Sequence, residues 1–239
     1  MPFLIGLALT FFVQLLAVSW YAIREGLAGR RGALPYKALC GLLFVADLLL
    51  AAAIRKPYAA DWFWLLAADV LLCFIAALVR NTDRKRSLTA SGILYGTALV
   101  AESLFFTRLA GERFGAPVFT VTEVIVWAAL TVTFTALTFD KRLLHPGKRR
   151  SALLVFAAVG FLAVVKAVRF GILCQRAGGA LQSLAFTAIL SALGLLLAAG
   201  AELYALFGSG ETPRSRLVKS YCYFFGRMLL ACGVLFAGG

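Results

Sequence analysis

The sequence predicts an all-α membrane protein, a polytopic bundle of about eight transmembrane helices forming one integral membrane domain over residues 1–239. Three observations carry this expectation. First, 62% of the residues are apolar and 15% charged, and mean hydropathy is +0.90, whereas soluble domains are about half apolar and about a quarter charged. Second, the apolar residues gather into eight runs separated by short polar connections. Third, the basic residues cluster in every other connection, as the positive-inside rule requires. The net charge of +13 therefore reads as membrane topology, and no nucleic-acid partner is expected.

The runs follow in order. Phe3–Ile23 lacks a basic leader and a small-residue cleavage pattern, so it is expected to be a retained helix. Ala38–Ile54 and Trp62–Val79 are short spans. Leu88–Phe106, Val118–Phe139, Ala152–Ile172 and Leu181–Phe207 follow, and Tyr221–Ala237 is a short last span. A helix of about 17–25 residues crosses the hydrocarbon core with every backbone group bonded internally. The first, third, fifth and seventh connections hold four, four, five and three Lys or Arg; the second, fourth and sixth hold two, two and one. Both termini are thus expected on the outer side, and a bacterial plasma membrane is the expected location. No connection is long enough for a soluble domain.

Several chemistries are set aside. The five cysteines stand singly and form no CxxC pair, and their odd number leaves no complete disulfide framework. His145 is the sole histidine, beside Pro146 and Gly147, which leaves little for a histidine triad or a His-rich metal site. No cofactor or metal is expected.

Charges inside the apolar runs are the candidates for function, because an ionisable group at mid-bilayer costs a few kcal/mol or more. They are Asp47, Asp69, Glu102, Glu123, Glu202, Lys166, Arg169 and Arg227. Span order puts Asp47 near mid-membrane, Asp69 toward the outer half, and Glu102, Glu123, Lys166 and Arg169 in the outer third. The i,i+3 spacing of Lys166 and Arg169 gives them one helix face. Four carboxylates and these two cations are expected to share an outward-facing polar cavity, with snorkelling of Lys166 and Arg169 as the alternative. Glu202 and Arg227 fall in the inner third of neighbouring spans, where they are expected to pair. Paired carboxylates with different environments suit acid–base hydrolysis. The same groups suit proton-coupled transport or the holding of a zwitterionic headgroup.

The order of features resembles the lysoplasmalogenase (YhhN) family of eight-helix membrane proteins, which cleave the vinyl-ether bond of lysoplasmalogens. Tyr36-Lys37 is similar to the family's aromatic-Lys-Pro opening of helix two, with Ala38 in place of proline. Ala68-Asp69-Val70-Leu71-Leu72 resembles its Gly-Asp-x-Leu-Leu, and Tyr223-Phe224-Phe225-Gly226-Arg227 resembles its closing Tyr-x-x-x-Gln/His. Two departures stand out. Glu102-Ser103-Leu104-Phe105 replaces a His followed by Tyr, and Ser191-Ala192 stands where the family has Ser-Asp. Val45-Ala46-Asp47-Leu48-Leu49 echoes the Asp69 segment. The resemblance implies a hydrolase that takes a lysophospholipid-like substrate from the membrane, with membrane lipids as its partners. Asp69 and Glu102 would be its acid–base pair. Asp47, Lys166, Arg169, Tyr223 and Arg227 would bind substrate, the cations at its phosphate. The alternatives are a lapsed relative that binds or moves a lipid, and a proton-coupled transporter.

Overall fold

The computed structural model describes residues 2–80, 85–139, 150–179, ten positions between 181 and 196, and 213–237. Every regular element among them is helical. We number the helices α1 (Pro2–Gly32), α2 (Leu34–Arg55), α3 (Asp61–Arg80), α4 (Lys85–Phe114), α5 (Val121–Phe139), α6 (Arg150–Ala177), α7 (Pro213–Cys232) and α8 (Val234–Ala237). The described positions between 181 and 196 are also helical and bury Leu184, Ala185, Ala188 and Ala192. Helices α1 to α4 and α6 contain stretches long and apolar enough to cross a membrane. α5 and α7 contribute shorter apolar stretches, Val121–Ala136 and Tyr223–Cys232. The chain is a multi-pass integral membrane protein.

Hydropathy marks spans, and helices outrun them. α1 continues nine residues past Ile23 to Gly32, and only Ala33 separates it from α2. The first basic connection is therefore almost wholly helix. There Arg24 lies 5.5 Å from the Trp20 ring and 5.7 Å from the Tyr36 ring. α4 runs two turns beyond the expected end, to Phe114. Gly115 stops it at φ +60°, a left-handed value that glycine adopts without a Cβ clash. Its N–H donates to Gly111 O at 2.9 Å, and that of Ala116 to Ala110 O at 3.3 Å. α7 begins eight residues before the expected Tyr221. Its first two turns, Pro213–Ser220, are too basic and polar to register as a span, yet proline suits the first turn of a helix. This last shift moves Arg227 deeper into the bundle than its sequence position suggests.

Two pairs of consecutive helices, α1–α2 and α3–α4, pack antiparallel. Thr10 meets Asp47, and Tyr21 meets Lys37, so α1 and α2 are antiparallel. Ser91 meets Ala76, and Trp62 meets Phe105, so α3 and α4 are antiparallel as well. α2 and α7 run parallel, with Phe44 on Phe224, and Arg55 donating through Nε to Leu235 O at 2.6 Å. The start of α1, the end of α2 and α8 thus share one end of the bundle. The core is built from small and aromatic residues, including Ala51, Ala76, Phe44, Phe106, Phe170 and Phe224. Large apolar side chains such as Leu16, Leu49 and Val132 point outward, as lipid-facing positions should.

Candidate functional site

Arg227 organises the candidate site. Lying about 21 Å along α7 from Pro213 at 1.5 Å per residue, it reaches the depth of Asp69, about 17 Å from the far end of α3. Arg227 Nη1 donates to Asp69 at 3.0 Å (Oδ1) and 2.8 Å (Oδ2), and to Glu102 Oε2 at 2.7 Å. Three helices, α3, α4 and α7, each supply one member. Asp69 and Glu102 are 0% exposed and Arg227 2%. Cys73, one turn after Asp69, donates its S–H to Asp69 Oδ1 at 3.6 Å. The Arg227 guanidinium lies 6.0 Å from the centre of the Tyr223 ring, one turn earlier on α7. Tyr223 packs edge-on against Tyr95.

The stoichiometry matters chemically. One guanidinium nitrogen carries two hydrogens, and here it serves two carboxylates. Glu102 Oε1 and Arg227 Nε have no hydrogen-bond partner among the described residues. With every group ionised the cluster carries one net negative charge in a low-dielectric interior, where an uncompensated charge is costly. One bound proton or one further cation would make it neutral. A carboxylate beside a carboxylic acid is the inventory of acid–base chemistry.

A second cluster lies at the junction of α5 and α6. Lys166 Nζ and Arg169 Nη1 both hold Glu123, at 3.1 Å (Oε1) and 2.7 Å (Oε2). The same cations donate to the non-helical segment before α5, Lys166 to Val118 O and Arg169 to Pro117 O at 2.9 Å. Lys166 also lies 3.8 Å from the centre of the Phe119 ring. Glu123 completes a capping box: its Oε2 accepts from Thr120 N–H at 2.7 Å, and its own N–H donates to Thr120 Oγ1 at 3.3 Å. Lys166 and Arg169 thus share a face, as their spacing predicts.

Asp47 stands in a third place, on α2 against α1. Thr10 donates to its Oδ1, while Asp47 Oδ2 has no partner among the described residues. Gln14, one turn after Thr10, is fully buried with neither amide atom bonded there.

The single shared cavity expected from the sequence is therefore corrected. The described charges form separate clusters, because helix rotation as well as depth decides which groups meet. Asp69 and Glu102 come together, and the partner of Arg227 among the described residues is this carboxylate pair. Glu202, its expected partner, lies outside the described residues. Thr10, Gln14 and Cys73 escaped the sequence reading. For Thr10 and Gln14 the signal was there: two polar residues at i,i+4 within an apolar run. Comparison of the chain with protein-family models, curated proteins and solved structures gave no match.

Proposed function

We propose that this chain is a membrane hydrolase of the lysoplasmalogenase type, in which Asp69 and Glu102 form the acid–base pair. The observation that supports it is the convergence of two buried carboxylates from different helices on one guanidinium nitrogen. In this reading one carboxyl carries a proton and the other does not. The acid protonates the vinyl-ether carbon remote from oxygen, giving an oxocarbenium ion. The carboxylate takes a proton from water, whose oxygen bonds to the cationic carbon. The resulting hemiacetal breaks its C–O bond to release a fatty aldehyde and the glycerol hydroxyl of the headgroup fragment. Arg227 orients both carboxylates, and Tyr223 lies beside it. We place the protein in a bacterial plasma membrane with eight spans and both termini outside; the basic odd-numbered connections support that orientation.

Purified protein in detergent, incubated with an ethanolamine lysoplasmalogen, should release aldehyde detectable by mass spectrometry. Asp69→Asn and Glu102→Gln should each lower the rate by about 100-fold or more, the usual scale for losing acid–base catalysis. Full activity in either variant would remove the basis of this reading.

Complete burial of the pair favours a second reading. Access to Asp69 and Glu102 requires packed side chains to move, which suits a lapsed relative that binds or moves an amphiphile, or a proton-coupled transporter. Asp47, a buried carboxylate touched by Thr10, adds to the proton-binding inventory. Here no aldehyde forms. Proton uptake into proteoliposomes that Asp47→Asn abolishes would mark the transporter.

A further inference from the structure

A lateral cleft of about 390 Å³ opens on the outside of the bundle, lined by Asp61, Trp64, Leu65, Leu104 and Arg108. It lies where α3 begins and α4 nears its end, beside the contact of Trp62 with Phe105. Its chemistry is graded along the helices. Asp61 opens α3, and Arg108 stands about 9 Å before the end of α4 at 1.5 Å per residue. One turn deeper come Leu65, four residues after Asp61, and Leu104, four before Arg108. Both charged residues are exposed, and neither forms an ion pair with any described residue, Glu112 on the next turn of α4 included. Trp64 is 59% exposed. Its indole N–H already donates to Tyr58 O at 3.1 Å, so the ring itself is what remains to offer a ligand.

These features select an occupant. A guanidinium is the preferred partner of a phosphate, a carboxylate suits an ammonium group, and an indole face attracts a cation. A headgroup carrying both charges satisfies Arg108 and Asp61 together. An anionic headgroup without an amine meets the Asp61 carboxylate unfavourably. A small soluble zwitterion leaves Leu65 and Leu104 uncovered. Tryptophan and arginine near helix ends also belong to the depth of lipid headgroups.

We infer that this cleft binds a zwitterionic phospholipid of the surrounding bilayer. Its phosphate lies on Arg108, its ammonium on Asp61 and Trp64, and the start of an acyl chain on Leu65 and Leu104. None of the cleft residues belongs to the Asp69–Glu102–Arg227 cluster.

The test titrates the detergent-solubilised protein with phosphatidylethanolamine or phosphatidylglycerol of identical acyl chains, and follows thermal unfolding, since a ligand of the native state raises the midpoint. Phosphatidylethanolamine should raise it more. Arg108→Gln should lose the gain from both lipids. Asp61→Asn should keep the gain from phosphatidylglycerol and lose the extra gain from phosphatidylethanolamine. Both residues are exposed, and the lipid-free midpoint of each variant reports its fold. Equal gains from the two lipids in the unaltered protein would overturn the proposal. So would an Arg108→Gln protein that keeps its phosphatidylethanolamine gain, or a full gain from free O-phosphoethanolamine.

Discussion

The two ion clusters are mirror images in stoichiometry. At the triad one guanidinium serves two carboxylates, Asp69 and Glu102; at the α5–α6 junction two cations serve one carboxylate, Glu123. Their surroundings differ more than their charges. Lys166 and Arg169 also bond the carbonyls of Val118 and Pro117, and Glu123 caps α5. Every member there has a backbone partner, so the cluster fixes a connecting segment to two helices. Among the described residues the triad's side chains bond only to other side chains, and Glu102 Oε1 and Arg227 Nε are left unbonded there. A cluster built only for stability tends toward complete satisfaction, and the α5–α6 junction comes nearer to it: Glu123 Oε1 also has no hydrogen-bond partner among the described residues, but it lies 3.1 Å from Lys166 Nζ. The triad keeps a surplus carboxylate, which makes it the better candidate for chemistry.

That contrast is open to direct attack. The largest expected effect is at Arg227, whose replacement by Met strands two buried carboxylates. Breaking a buried pair from one side costs about 3–5 kcal/mol, so thermal unfolding in detergent should show severe destabilisation or no folded protein. Removing the shared acid at the junction should cost less. Glu123→Gln keeps a capping acceptor but leaves two cations without their carboxylate, with an expected loss of about 1–3 kcal/mol on the scale of a charged hydrogen bond. Thr120→Ala removes one side of the capping box for about 1 kcal/mol. The smallest effect sharpens the comparison most. Glu102→Gln leaves a one-to-one Asp69–Arg227 pair, so its unfolding free energy should stay within about 1 kcal/mol of the parent's or rise, since a buried surplus charge is itself unfavourable. A Glu102→Gln protein as unstable as the Arg227 variant would make the second carboxylate a structural necessity and erase the distinction. Salt offers a gentler probe. Arg169 is 15% exposed and the triad nearly closed to solvent, so added salt should weaken the junction before the triad.

The legible part of the candidate site follows from cost. A carboxylate in an apolar run is expensive in lipid, so Asp47, Asp69 and Glu102 announce themselves by residue type alone. Lys166 and Arg169 announce their common face by spacing. What could not be read was which acid meets which base. Depth inferred from the ends of apolar runs put Arg227 near the inner surface, because the basic first turns of α7 look like a loop to hydropathy. In the structure those turns are helical and carry Arg227 to the level of Asp69. The seam between α1 and α2 was misread for the same reason: Arg24, Arg30 and Arg31 resemble a connection, yet they continue a helix.

By itself the sequence determined the helical, multi-pass character of the chain and the short inventory of charges buried within it. Both follow from solvation. Lipid requires each spanning backbone to bond within its own segment, and it makes every intramembrane charge conspicuous. The tertiary structure alone decided the partnerships: Asp69 and Glu102 across Arg227, Glu123 between Lys166 and Arg169, Asp47 against Thr10. Those depend on the rotation of each helix about its axis and on its true length. Side-chain packing between helices sets these, and composition carries no record of it.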